Sequence, residues 1–318
     1  MPKFRDHLPQ LDCGTFLTDG GLETTLIFHD SFDLPYFAAF YLMKSGAGLE
    51  ALRRYYAAYV SIALANHVGF VLESPTWRAN PDWGQKVGYS KAALVEVNHS
   101  AIALMRELRE KYETPESPMV ISGCVGPRGD GYDPSRVMSE NEAETYHREQ
   151  IAVFRESDAD LTTAMTITNT PEAIGIVRAA RKQGLPVVIS FTLETDGRLP
   201  TGQSLQEAIE VVDASTDHAT AYYMINCAHP THFAAVIATT DPWVKRLRGV
   251  RANASRLSHS ELNESPTLDE GDPRELGSQY ADLRQRHPQI NVLGGCCGTD
   301  RRHIEEIMRT NNLGSPPN

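Results

Sequence analysis

The chain has 318 residues, 41% of them hydrophobic and 22% charged, the composition of an ordinary globular enzyme with enough apolar residues for a full core. A net charge of −11 excludes the basic face that a nucleic-acid partner would require. No run approaches the roughly 18 to 20 apolar residues that cross a bilayer, and the polar opening with Lys3, Arg5 and Asp6 lacks a signal peptide's apolar stretch, so no membrane association and a cytoplasmic location are expected.

In chain order, short β-branched or apolar runs bounded by turn residues alternate with segments of helical periodicity. A strand is predicted at 16–19, then a helix at 49–66, where LEALRRYYAAYVSIALAN repeats apolar residues at three-to-four spacing. Strand 68–73 precedes helix 90–112, with Ser90 as N-cap. Strands 119–123 and 161–166 precede helices 142–156 and 171–183, and Gly184 suits a C-cap. Strands 187–191, 222–226, 249–253 and 291–295 are followed by helices 204–213, 230–238, 273–286 and 300–309. Pro171, Pro230 and Pro273 fall in first turns, where a missing N–H costs nothing.

Strands and helices in such alternation predict a single-domain α/β fold over 1–318, a (β/α)8 TIM barrel. An open doubly wound sheet shares the alternation, but Asp19-Gly20-Gly21 is too short for its dinucleotide fingerprint. The polar, acidic segment 254–272 follows a strand and is longer than an ordinary connection, so it reads as an active-site lid loop or a surface insertion. Residues 313–318 read as a flexible tail.

The cysteines carry the chemistry. Cys13 and Cys124 have no partner pattern. Cys227 directly follows the sixth strand, and Cys296 and Cys297 follow the eighth, within Gly294-Gly295-Cys296-Cys297-Gly298. In a parallel barrel every strand opens its C-terminus on one face, so these thiols can converge there. Three thiolates suit Zn²⁺, and three protein ligands leave a fourth position open, as catalytic sites do. The net negative charge of such a centre favours holding a nucleophilic substrate thiolate over ionising water. His229 and His232 flank Cys227 but read better as capping or surface residues than as ligands.

These motifs resemble the homocysteine S-methyltransferase family over about residues 15–309. The matching runs are Leu17-Thr18-Asp19-Gly20-Gly21-Leu22-Glu23-Thr24, Glu73-Ser74-Pro75-Thr76-Trp77-Arg78-Ala79-Asn80, Gly123-Cys124-Val125-Gly126-Pro127, Ser190-Phe191-Thr192, Gly202-Gln203-Ser204-Leu205, Asn226-Cys227, Ala252-Asn253-Ala254 and Gly294-Gly295-Cys296-Cys297-Gly298-Thr299. The resemblance implies that Cys227, Cys296 and Cys297 are the zinc ligands and catalytic centre. It places Asp19, with Gly20 beside it, near the homocysteine amino group, and Glu73 in the same pocket. Asn226 is expected to orient the metal shell or substrate. The implied reaction is methyl transfer to homocysteine, giving methionine.

Two departures stand out. Met165 or Thr166 replaces a strand-four glutamate carried by many members, and Pro75 replaces a polar residue. Another small thiol acceptor, or a non-catalytic zinc-binding relative, therefore stays open beside homocysteine. A zinc-dependent barrel hydrolase fits less well, because the candidate ligands are all thiols. A chain of 318 residues has no room for folate and cobalamin modules, which leaves S-methylmethionine, S-adenosylmethionine or betaine as donors. Trp77, Trp83, Tyr132 and Phe191 are aromatic candidates for a methyl-onium cation. A homodimer is the default assembly.

Overall fold

Eight parallel strands close into a barrel in sequence order, β1 pairing with both β2 and β8. The computed structural model describes residues 1–12, 14–265 and 267–312; Cys13 and the predicted tail 313–318 lie outside them. The strands are β1 (Phe16–Leu17), β2 (Gly69–Glu73), β3 (Met119–Val125), β4 (Leu161–Ile167), β5 (Val187–Thr192), β6 (Tyr222–Asn226), β7 (Leu247–Ala252) and β8 (Val292–Gly295). The principal helices following them are α1 (Gly46–Ala65), α2 (Lys91–Tyr112), α3 (Glu140–Glu156), α4 (Thr170–Gln183), α5 (Leu205–Ser215), α6 (Pro230–Phe233), α7 (Pro273–Arg286) and α8 (Arg301–Asn312). This is the predicted (β/α)8 fold. Among the described residues, no helix is long and apolar enough to cross a membrane.

Local sequence explains where the helices begin. Ser45, Ser90, Ser139, Asn169, Ser204 and Asp272 each accept a first-turn N–H, and Ser139 with Glu142 forms a capping box. Gly184 ends α4 at φ 63°, as a C-cap glycine does. The predicted helix 230–238 is shorter: α6 stops at Phe233 and turns carry the chain onward.

Two apolar layers hold the barrel. Phe16, Val71, Val120, Leu161, Val188, Tyr222, Met224 and Val292 pack together inside it. Alternate residues such as Leu17, Leu72, Ile121, Ile189 and Ile225 pack outward in the larger core with helix residues such as Leu52 and Ile174. Leu8 joins the inner cluster, with Phe4 and Leu11 packed against it, so the N-terminal segment plugs the lower end. The upper end, where strands finish, stays open.

Candidate metal centre and substrate pocket

The upper end holds a cavity of about 710 Å³ lined by residues from several strand ends and by the segment after β7. Its base contains the predicted thiols. The Sγ atoms of Cys227, Cys296 and Cys297 all lie within 4.8 Å of one another, Cys227 buried and the others half-buried. Backbone bonds hold each in place. The Cys227 N–H donates to Arg251 O, the Cys296 N–H to Ala252 O, and Cys297 O accepts from Ala254 N–H. Gly298 turns the chain away at φ 78°, where a Cβ would also meet Asp269 O at 2.5 Å.

The thiols perturb one another strongly. Donation from the Cys296 and Cys297 thiols holds Cys227 well below its usual range despite burial. The same bonds push Cys296 up to about 12 and raise Cys297 well above its usual range, and burial adds to both. Burial and mutual proximity oppose ionising all three thiols together, and a cation among the sulfurs would offset that. Three converging sulfurs therefore fit a soft dication with one position left over. His229 and His232 are not in the cluster. His229 Nδ1 bonds Thr231 Oγ1 at 2.8 Å and caps α6, and His232 Nε2 donates to Arg256 O.

Asn226 stands beside the thiols and is locked from three directions. Its Oδ1 accepts from Thr166 N–H at 2.9 Å and Ser190 Oγ at 2.6 Å, while its Nδ2 donates to Thr166 Oγ1 at 2.8 Å. Nδ2 also lies 4.0 Å from Cys296 Sγ, and Thr166 Oγ1 lies 3.9 Å from Cys227 Sγ. The pairing of β4 with β5 shifts register between Ala164 and Ile167. Thr166 sits there at φ 62° and Cys227 at φ 53°, a conformation that L-residues rarely hold without constraint.

Asp19 and Glu73 line the same cavity, both almost fully buried. The Tyr55 hydroxyl donates to Asp19 Oδ2 at 3.0 Å, and Arg251 Nη2 approaches Asp19 Oδ1 at 2.8 Å. Burial pushes the Asp19 carboxyl up, against Arg251 and Tyr55. Arg251 is likewise opposed by burial, yet Asp19, Glu73 and Cys296 together hold it above its ordinary range, so a fixed cation faces the Asp19 carboxyl. Burial pushes Glu73 up to about 7. Asp19 Oδ1 and Glu73 Oε2 make no hydrogen bond. Gly20 is required for close packing, since a Cβ there would meet Tyr59 Oη at 2.7 Å.

Four further residues escape a reading by motif alone. Glu23 lines the cavity and is pushed by burial to about 7. Arg251 points inward from β7; a charge within an apolar strand is the signal that could have found it. Tyr55 comes from α1, and His259 from the segment 254–272. His259 Nε2 donates to Cys227 O at 2.6 Å, and its ring lies 4.0 Å from that of Tyr132. The structure corrects two aromatic candidates. Phe191 points outward, fully buried against Tyr223, because odd-numbered β5 positions face the helices. The Trp83 ring is already taken by Arg78 at 3.5 Å and Lys86 at 3.6 Å. Trp77 and Tyr132 line the cavity, and Met165 occupies part of its wall.

A family profile described as homocysteine S-methyltransferase matches residues 16–310. Homocysteine S-methyltransferase 3 of Arabidopsis thaliana is 25% identical over 202 residues, covering 60% of this chain and 57% of that protein. Homocysteine S-methyltransferase 1 of Brassica oleracea is 22% identical over 318 residues, 93% of each chain. The Escherichia coli homocysteine methyltransferase MmuM, in its oxidized form, superposes with a TM-score of 0.73 at 18% identity, covering 93% of this chain and 95% of that one. Its metallated form gives a TM-score of 0.67 at 18% identity, over 93% and 96%. These superpositions establish a shared barrel, and the profile extends over nearly all of it. This chain belongs to the homocysteine S-methyltransferase family of methyltransferases.

Proposed function

We propose that the protein transfers a methyl group from a small sulfonium or ammonium donor to the thiol of homocysteine, with Cys227, Cys296 and Cys297 holding zinc. The observation that carries this reading is the convergence of those three sulfurs within 4.8 Å at the base of an acid-lined cavity. The names of the relatives agree with it, and MmuM has a metallated form. Bound among the thiolates, zinc would supply the charge that keeps a substrate thiol deprotonated while the electron-rich ligand set leaves it nucleophilic.

The chain's own residues do the rest. Glu73 Oε2, which lacks a hydrogen-bond partner, and Asp19, whose Oδ1 meets Arg251 only as an ion pair, offer carboxylate oxygens to the acceptor's ammonium group. Asn226 fixes Thr166 and flanks Cys296, which keeps the sulfur geometry rigid. Tyr132 and His259 pack ring against ring at the cavity wall and exclude water, and the segment 254–272 acts as the lid. In the transfer, a lone pair of the acceptor sulfur attacks the methyl carbon in line. The bond from that carbon to the donor's positive sulfur or nitrogen breaks, and its electron pair neutralises the donor. A different small thiol as acceptor is the second reading. It is favoured by Met165 standing in the cavity wall and by Arg251 already engaging Asp19.

The test is zinc content per chain with X-ray absorption at the metal edge, before and after homocysteine. The expected result is one zinc in three sulfurs that gains a fourth, and loss of the metal in Cys297→Ser. A three-sulfur site indifferent to homocysteine would transfer the proposal to another thiol; absence of zinc from protein purified under reducing conditions would end it.

A further inference from the structure

Among the described residues three arginines are buried, and two of them hydrogen-bond protein partners. Arg109 pairs with Asp160 at 2.7 Å, and Arg251 donates to Gly295 O and Gly20 O beside its contact with Asp19. Arg78 is the exception. It is 8% exposed, it lines the cavity, and its Nε is buried with no hydrogen-bond partner. The carboxylate paired with it, that of the more exposed Asp130, stands 3.7 Å from Nη2, beyond hydrogen-bond reach. A guanidinium carries five N–H donors and stays charged, so leaving it buried and underused is unfavourable unless something else completes it.

Its orientation is held by packing. The guanidinium carbon lies 4.3 Å from the Trp77 ring centroid and 3.5 Å from that of Trp83. Aromatic contacts occupy the faces of a planar cation and leave its edge, where the N–H groups are, for a planar anion. Of the acids lining the cavity, Asp19, Glu23 and Glu73 interact with Arg251, whereas the acid paired with Arg78 is Asp130 at the longer distance, so the cavity offers carboxylates and, at Arg78, a second cation. That is the arrangement a zwitterion needs.

We propose that Arg78 is the carboxylate anchor of this cavity, binding the carboxylate of an amino-acid-type substrate through the guanidinium edge. The proposal rests on the reading of the cavity as the substrate site, and it concerns either the thiol acceptor or the onium donor, both of which can carry a carboxylate.

The experiment measures dissociation constants for the full-length zinc-loaded protein by calorimetry, with quenching of tryptophan fluorescence as a second readout. Homocysteine is compared with 3-aminopropane-1-thiol, betaine with choline, and S-methylmethionine with its carboxamide, in the parent, Arg78→Met and Arg78→Lys. Removing the carboxylate is expected to weaken binding to the parent roughly 10- to 100-fold for at least one pair, the scale of a hydrogen-bonded charge. In Arg78→Met that ratio should collapse to about one, with Arg78→Lys between, while the melting temperature of each variant reports folding. The pair that responds identifies the source of the carboxylate. Equal ratios in parent and Arg78→Met for every pair, or failure of all three carboxylates to bind the parent, would overturn the proposal. Carboxylate binding that depends on Arg78 without methyl transfer would instead sink the functional reading and leave the anchor standing.

Discussion

Glu73 shows how burial sets the chemistry of a single group. Its carboxyl is pushed up to about 7 from an ordinary 4.5, with Arg251, Ser122 and Thr163 only partly opposing the desolvation. A carboxyl raised in this way binds more protons folded than unfolded, so it costs stability as pH rises from about 4.5 through about 7. Glu73→Gln should therefore be more stable than the parent above pH 7, by at most on the order of 3 kcal/mol, and show no such advantage near pH 4.5. Thermal melts across that range check this; a gap independent of pH would show that the group is not shifted. Strain is the other residue-scale feature. Thr166 and Cys227 both hold positive φ, which costs on the order of 1–3 kcal/mol each. Asn226 repays part of that by bonding Thr166 through both backbone and side chain.

At the scale of elements, the segment after β7 does most to shape the site. Its short helix His259–Glu264 begins at a Ser258–Glu261 capping box, and Ser255, Leu262 and Asp269 line the cavity. His259 reaches back to the Cys227 carbonyl, and Glu270 reaches across to His29 at 2.6 Å and Arg302 at 3.0 Å. The segment is thus tied down at both ends over the thiols. In metal-free reduced protein, His259→Ala should speed labelling of the half-buried cysteines by a disulfide reagent about 10-fold, since local opening governs access. An unchanged rate would mean that the segment does not shield them. Little of this was legible in advance. The length and position of 254–272 pointed to the active face, but neither the packing of His259 against Tyr132 nor the register shift in β4 has a local sequence signal.

The whole molecule divides its labour between the two ends of the barrel. Thiols, acids and the two cavity arginines gather where the strands finish, while the opposite end is closed for stability. There Asp160, fully buried, accepts from the backbone N–H groups of Lys3 and Phe4, from Ile121 N–H and from Arg109. One carboxylate so joins the N-terminal plug, β3 and α2. Asp160→Asn should cost about 3–5 kcal/mol, because it leaves Arg109 buried without its counter-charge. The midpoint of urea unfolding measures this, and zinc content per folded chain should stay unchanged; a loss of metal at constant stability would contradict the division.

The alternation of strand and helix periods and the cap residues were enough to determine an α/β fold, since period and capping are local properties of the chain, and the missing dinucleotide fingerprint with the family resemblance selected the (β/α)8 barrel over an open sheet. The vicinal pair Cys296-Cys297 and the lone Cys227, each directly after a strand, were likewise enough to put three thiols on one face, because a parallel barrel leaves its strand ends no other place. Only the tertiary structure decided the rest. Phe191 faces outward because of strand parity, Trp83 is covered by Arg78 and Lys86, and Arg251 of β7 meets Asp19 past the intervening β8. Those outcomes depend on which side chains from distant strands compete for the same buried space and charge, and no stretch of the chain carries that information by itself.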